Sequence, residues 1–244
     1  MNTRKAIGGS FLAIVVFVIT QILAKLVASA FVLIKVPTGI CNILAGIMYA
    51  VLAYVLLKLF AEKIYKIKME NFGMPKFSIK TRWIIVAILL PVIVKAIYIF
   101  HFTGEYISSG MNNSEIFSTL SAGIVFTGIA SGFVEEMVFR GFILNLLKSR
   151  WNTLVAVLVP SVLFGFVHIL GMNFSLGSCL LVLLAGTMVG IMFSMIALES
   201  GSVWNSGIVH AIWTDTSTLR AKVVGFGISM QTASSTRSVR FLLL

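Results

Sequence analysis

Charged residues are scarce in this chain of 244 residues, and acidic residues are the scarcest. Only 11% of the residues are charged, with eight Asp and Glu against 19 Lys and Arg, while 59% are hydrophobic. In a typical soluble domain about a quarter of the residues are charged and about half are apolar. The composition therefore excludes an ordinary soluble protein and predicts an integral membrane protein with several spans.

Cysteine and proline are also rare, with two and four residues. Cys41 and Cys179 lie within or at the edge of apolar runs, so we expect small buried side chains rather than a disulfide. Pro91 and Pro160 fall inside apolar runs, where neighbouring helices can satisfy the backbone groups that proline leaves free.

Apolar runs recur along the chain and predict an all-α polytopic bundle of about seven transmembrane helices, within a range of six to eight. The predicted spans are 7–34, 40–60, 83–102, 117–147, 153–170, 178–198 and 202–213. The first is longer than the core of a signal peptide, so we expect it to stay as an uncleaved span. The fourth exceeds the roughly 20 residues that a crossing needs, and we expect it to leave the bilayer or to bend near Gly132 or Gly141.

The net charge of +11 does not indicate a nucleic-acid partner, because the basic residues lie between apolar runs rather than on one amphipathic face. Arg4 and Lys5 precede the first run, six basic residues lie in segment 63–82, and two follow the fourth run. The positive-inside rule then predicts a multi-pass protein of the cell membrane with a cytoplasmic N-terminus. Segment 215–244 is also basic, although seven spans would place it outside. Either the number of spans differs by one, or this polar tail is an atypical or truncated end.

Ionisable side chains inside apolar runs cost a few kcal/mol each at the bilayer centre and by default indicate function, and three places in the runs stand out. Glu136 and Arg140 are four residues apart and can pair on one helix face. Glu135 is rotated from Glu136 by about 100° and can face a different neighbour. His168 and His210 lie in the fifth and seventh runs. Taken singly, these residues also have structural interpretations. Glu136 and Arg140 could be an ion pair that fixes helix register, and the two histidines could be packing residues.

The depth of these residues supports a common site. At a rise of 1.5 Å per residue, Glu135, His168 and His210 lie roughly 19, 22 and 12 Å from the cytoplasmic ends of their runs. Since such boundaries err by several residues, we expect that the three can meet in one cavity within the membrane. The third histidine, His101, lies at the outer end of its run and is interpreted as interfacial.

A carboxylate and an imidazole around a water molecule can activate it for attack on a carbonyl. A second imidazole, with a hydroxyl or an amide, can stabilise the oxyanion that results. One Glu and two His could instead hold zinc with an open coordination position. No HExxH-type spacing is present, however, so zinc is not favoured and no cofactor is predicted. A transporter with a charge relay is a weaker alternative, because the motif is not repeated between the halves of the chain.

Three motifs in successive runs carry a family resemblance: "EEMVFR" at 135–140, "FGFVH" at 164–168, and "GSVW" at 201–204 followed by His210. In this order they resemble the CAAX protease and bacteriocin-processing family of intramembrane endopeptidases, also called the Abi family. The resemblance covers 114–214 and implies that the last four spans form the catalytic core. Segment 1–113 then holds N-terminal membrane helices and a basic cytoplasmic loop.

The resemblance implies a catalytic role for three residues. Glu135 would activate the water with the help of His168, and His210 would help to stabilise the oxyanion. The family has Asn or Asp four residues after this histidine, and here Thr214 stands at that position. A hydroxyl reaches less far than an amide, so the second oxyanion donor differs from the family pattern.

The resemblance implies supporting roles for the remaining matched residues. Glu136 and Arg140 would support the site and hold its helix, and Phe164 is the first residue of the second motif. The function that the resemblance implies is a glutamic-type endopeptidase, similar to CAAX prenyl protease 2, that acts at the lipid bilayer. Its substrates would be small peptides or membrane-anchored proteins. The alternative is a non-catalytic family member that acts as an immunity or regulatory membrane protein by binding a partner.

Overall fold

A computed structural model of the chain describes residues 2–101, 104–106, 110–170, 175–219 and 226–228. Seven helices form the described part of the molecule, which confirms the predicted all-α bundle. They are α1 (Thr3–Leu33), α2 (Thr38–Tyr65), α3 (Thr81–His101), α4 (Asn113–Lys148), α5 (Thr153–Val167), α6 (Leu176–Ser200) and α7 (Val203–Leu219). A short 3-10 helix, Met69–Phe72, lies between α2 and α3. Strands β1 (Gly104–Tyr106) and β2 (Phe226–Ile228) form a small antiparallel pair.

Four of the described helices, α1, α2, α4 and α6, are long and apolar enough to cross a membrane, while α5 is shorter. Large apolar side chains cover their outer faces, for example Phe11, Leu33 and Met188. In water such a surface would be a liability, whereas in lipid it is the stable arrangement. The chain is therefore a polytopic membrane protein.

The over-long fourth run forms a single helix of 36 residues. It is α-helical at both ends but π-helical over Ser121–Ser131 and again over Met137–Ile143. Between these stretches lies the α-helical segment Gly132–Glu136, which ends in the two glutamates. The bend expected near Gly132 or Gly141 stays a prediction. What the structure shows there is a change of helix type, to α-helix at Gly132 and to π-helix around Gly141, and such changes often mark functional sites.

Close helix contacts surround the region of the two glutamates. A Cβ atom added to Gly132 would lie 3.2 Å from the backbone nitrogen of Ala211, so this glycine lets α7 approach α4. Gly165 of α5 and Gly186 of α6 meet in the same way. Small residues at such crossings allow the backbones of membrane helices to pack closely. These contacts fix the approach of α7 to α4 and of α5 to α6.

Several expectations about individual residues can be compared with the fold. Cys41 and Cys179 are buried free thiols, as predicted. The fifth run was expected to be helical to residue 170, but α5 ends at Val167 and His168 caps it. The side chains of His101 and Asp215, and most of the basic tail, lie outside the described residues.

Candidate active site

Glu136 and Arg140 form the fully buried ion pair that their spacing predicted. Arg140 Nη1 lies 2.9 Å from Glu136 Oε1, and both side chains are completely buried. Arg140 Nη2 donates a hydrogen bond of 2.9 Å to the carbonyl oxygen of Gly190 on α6. The ion pair balances the buried charge, since removing either partner would leave the other uncompensated, and the hydrogen bond to Gly190 connects α4 to α6.

His210 of α7 joins this pair through its Nδ1 atom, which lies 3.1 Å from Glu136 Oε1. The ring is 5% exposed. It stacks on Phe193 at a centroid distance of 4.5 Å and meets the edge of Phe164 at 5.6 Å. The imidazole is therefore held by one carboxylate and two aromatic rings.

The bond to Glu136 also determines what the other ring nitrogen of His210 can do. A carboxylate engaged by arginine accepts hydrogen bonds, so Nδ1 carries the proton that Glu136 accepts. In a neutral ring Nε2 is then an acceptor, whereas in an imidazolium it is a donor. The Nε2 atom is thus the chemically variable end of this histidine.

Glu135 lies on the Nε2 side of His210. Its Oε2 atom is 3.8 Å from Nε2, which is too long for a direct hydrogen bond but suits a water molecule bound to both. This oxygen has no hydrogen-bond partner, and the residue is 9% exposed. The rotation between the two glutamates therefore places them at opposite nitrogens of one imidazole, rather than against different helices.

His168 is less closely integrated than the spacing suggested. It is exposed at the end of α5, and its Nδ1 atom lies 2.7 Å from the carbonyl oxygen of Phe164. Its ring contacts the Phe164 ring at 4.5 Å. In the described part of the chain, neither glutamate lies within hydrogen-bonding distance of His168. Phe164 thus contacts the rings of both histidines.

The other predicted supporting residues also lie at this cluster. Phe164 contacts His210 and places its ring 4.4 Å from the guanidinium of Arg140. Thr214 lies one helical turn after His210 on α7 and is half-buried. Two contributors were not predicted, Phe193 and the carbonyl of Gly190. Both lie on α6, where an apolar phenylalanine and a backbone carbonyl give no sequence signal of a functional site.

The alternative that one Glu and two His hold zinc can be compared with the side chains at this cluster. Within the described ranges, no three His, Cys, Asp or Glu side chains are arranged so that they could hold a metal ion. Glu136 is already paired with Arg140, which opposes its use as a ligand. That the reaction needs no metal stays a prediction.

Residues 117–214 match the family model described as Type II CAAX prenyl endopeptidase Rce1-like. This segment is an Rce1-like domain. It runs from α4 to α7 and includes both glutamates, Arg140 and both histidines of the site, which confirms the resemblance inferred from the motifs. Searches of curated proteins and of solved structures found no match to the chain. Domains of this family belong to proteases, and helices α1 to α3 lie outside the matched segment.

Proposed function

We propose that this protein is an intramembrane glutamic-type endopeptidase that hydrolyses a small peptide or a membrane-anchored protein. The observation that carries the proposal is the contrast between the adjacent glutamates. Glu136 Oε1 lies 2.9 Å from Arg140 Nη1 and 3.1 Å from His210 Nδ1, although its Oε2 atom has no hydrogen-bond partner. Glu135 forms no ion pair with arginine among the described residues, and its buried Oε2 atom lies 3.8 Å from His210 Nε2 without a hydrogen-bond partner. A buried acceptor left unsatisfied is costly, and a bound water would satisfy it.

In the proposed reaction Glu135 is the general base. It takes a proton from the water as the water oxygen bonds to the carbonyl carbon of the substrate, and the carbonyl electron pair moves to oxygen. When the tetrahedral intermediate collapses, the C–N bond breaks and the protonated Glu135 returns the proton to the leaving amine. Each turnover consumes one water, and Glu135 ends in its starting state.

His210 is the proposed stabiliser of the oxyanion. With its Nδ1 proton accepted by Glu136, an imidazolium directs its Nε2 proton toward the space beside Glu135. A donor fixed before the reaction and held away from bulk water is far more effective than one in solution. The Glu136–Arg140 pair acts on this step through His210, whose ring it orients.

His168 is the proposed second group on the water. Its Nδ1 atom is engaged by the Phe164 carbonyl, which orients the ring and leaves Nε2 to bind water or substrate. The observation that supports this role is the packing of His168 on Phe164, because the same Phe164 ring contacts His210. The exposed position of His168 suits a place where the substrate enters.

The proposed location is the cell membrane, with the N-terminus in the cytoplasm. The support is the distribution of basic residues, which lie before α1, between α2 and α3, and directly after α4. Such loops are retained on the cytoplasmic side.

Peptide cleavage by the purified chain in detergent tests the proposal. The probes are two internally quenched peptides of one sequence, one with a farnesylated cysteine near its C-terminus and one without, because the family's description names prenyl substrates. We expect cleavage of at least one peptide by the parent and none by Glu135→Gln. The matched control is Glu62→Gln, which changes a half-exposed glutamate of α2 outside the domain.

Two results would overturn the proposal. Full cleavage by Glu135→Gln would remove Glu135 as the base. Absence of cleavage by the parent, together with a cellular effect that survives Glu135→Gln, would favour the partner-binding alternative.

A further inference from the structure

Phe193 of α6 is a buried aromatic residue in direct contact with His210. Its side chain is 0% exposed. Its ring lies nearly parallel to the imidazole, with a centroid distance of 4.5 Å and an interplanar angle of 19°. A phenyl ring can neither donate nor accept a proton, so any role of Phe193 in the reaction is exerted through His210.

The hydrogen bond to Glu136 does not by itself fix the orientation of the imidazole. It holds one atom, His210 Nδ1, at 3.1 Å from Glu136 Oε1. The ring can still turn about this contact, because the outer torsion of a histidine side chain is broad. Since the hydrogen-bonding atoms of an imidazole act in the plane of the ring, such a rotation would misalign Nε2 with the space beside Glu135 Oε2, which lies 3.8 Å away.

The rings of Phe193 and Phe164 oppose this rotation. Phe193 covers one face of the imidazole, and Phe164 meets it at 5.6 Å with an interplanar angle of 73°. The two phenyl rings are perpendicular to each other at a centroid distance of 6.3 Å. We call this pair of rings the aromatic corner. In a close-packed interior, a ring held in such a corner cannot turn without displacing its neighbours, so Phe193 sets the plane in which His210 Nε2 points.

The aromatic corner also holds the guanidinium of Arg140. Its Cζ atom lies 4.4 Å from the centroid of Phe164 and 5.4 Å from that of Phe193, and both distances are in the range of a cation–π contact. One turn before Phe193 on α6, the carbonyl oxygen of Gly190 accepts the hydrogen bond from Arg140 Nη2. A single turn of α6 therefore contacts both groups that bind Glu136 Oε1.

We propose that Phe193 is a positioning residue that fixes the plane of the His210 ring, so that Nε2 donates to the oxyanion formed beside Glu135. The inference rests on the proposed endopeptidase function. A flat and rigid neighbour matters because a donor is most effective when it is aligned before the charge develops. Small misplacements of reacting groups lower turnover strongly. The α6 helix then contributes to turnover although none of its side chains touches the substrate.

Phe193→Leu tests the inference, because it keeps an apolar side chain and removes the flat face. The matched control is Phe142→Leu on α4. Phe142 is 1% exposed and stacks on Phe72 at a centroid distance of 4.2 Å, in a ring pair that includes no residue of the site. With the quenched peptides we expect Phe193→Leu to lower kcat about tenfold, with KM changed less than about twofold. Phe142→Leu should keep kcat within about twofold of the parent, although both variants lower the melting temperature.

Phe193→Tyr separates the orientation of His210 from the stability of the fold. It keeps the flat ring and adds a buried hydroxyl, which lowers the melting temperature. We nevertheless expect its kcat to stay within about threefold of the parent, because the stacking face is retained. If Phe193→Leu does not accumulate in the membrane, Phe193→Met, which fills the space with a flexible apolar chain, takes its place with the same expected loss of kcat.

Three results count against the inference. The first is a kcat of Phe193→Leu, or of its methionine replacement, within about twofold of the parent. The second is a kcat that simply follows the melting temperature, with Phe142→Leu or Phe193→Tyr as slow as Phe193→Leu. The third is failure of every Phe193 variant to accumulate while Phe142→Leu accumulates, which shows a residue that only supports folding.

Glu135→Gln in the same assay separates the two proposals. If the parent cleaves neither peptide, or if Glu135→Gln stays active, the proposed function fails. If the parent is active, Glu135→Gln is inactive and Phe193→Leu is as fast as the parent, only the role of Phe193 fails.

Discussion

Helices α1 and α4 are similar in length and are both apolar, yet they are built differently. The α1 helix is regular over 31 residues, and its buried positions are small or apolar apart from Ser10 and Thr20. Both hydroxyls bond to carbonyl oxygens within the helix. The α4 helix has two π-helical stretches and buries Glu135, Glu136 and Arg140. A helix that only has to cross lipid needs no such costly features, so their concentration in α4 supports the proposal that this helix carries the catalytic residues.

Breaking the buried ion pair of α4 should have the largest effect on stability. Arg140→Met keeps much of the volume but leaves Glu136 charged and without its guanidinium, so we expect a loss of about 3–5 kcal/mol and of activity. The counterpart in α1 is Thr20→Val, which removes a bond of 2.7 Å to the Val16 carbonyl and should cost about 1 kcal/mol. Unfolding in mixed detergent micelles measures both. Equal losses would show that the pair in α4 has no special role in stability.

The glycines of the two helices should also differ in effect. Gly132→Ala places a methyl group 3.2 Å from the backbone of Ala211, next to His210, whereas nothing lies within 4 Å of a Cβ at Gly8 of α1. We expect Gly132→Ala to lower kcat about tenfold, because a small displacement of His210 misaligns the reacting groups. Gly8→Ala should leave kcat unchanged. Similar turnover for both variants would show that the approach of α7 to α4 does not limit the reaction.

The helices and the buried ion pair could be predicted from the sequence, but the contacts between helices could not. The apolar runs and the spacing of Glu136 and Arg140 were sufficient for the seven helices and the ion pair. Spacing gives depth and direction within one helix, but contacts between helices depend on how closely backbones approach. The meeting of both glutamates at His210 depends on a contact between Gly132 and Ala211, and the end of α5 leaves His168 exposed. Neither feature follows from periodicity.

Substitution of Thr214 should have a smaller effect. Thr214→Val keeps the shape and removes the hydroxyl one turn after His210, so we expect turnover to fall about tenfold or less. Thr214→Asn restores the amide of the family pattern and should raise turnover. Peptide cleavage by both variants, compared with the parent, checks this. Identical rates for all three would show that this side chain does not contact the reacting carbonyl.

Removal of metal ions should have no effect. The expectation follows from a mechanism in which Glu135 and His210 act as base and donor rather than as ligands. Activity should persist after dialysis against a chelator, with cleavage of the quenched peptides as the measurement. A loss that zinc alone restores would instead make these residues metal ligands.

The comparison of the two adjacent glutamates tests the central claim most directly. Turnover and unfolding are measured together for Glu135→Gln and Glu136→Gln. Since Glu136 forms the buried ion pair with Arg140, whereas Glu135 Oε2 only lies 3.8 Å from His210 Nε2, Glu135→Gln should abolish turnover and leave stability equal to or above that of the parent. Glu136→Gln should destabilise the protein by about 3–5 kcal/mol. Full turnover by Glu135→Gln, or a loss of stability as large as that of Glu136→Gln, would contradict the assignment of Glu135 as the catalytic base.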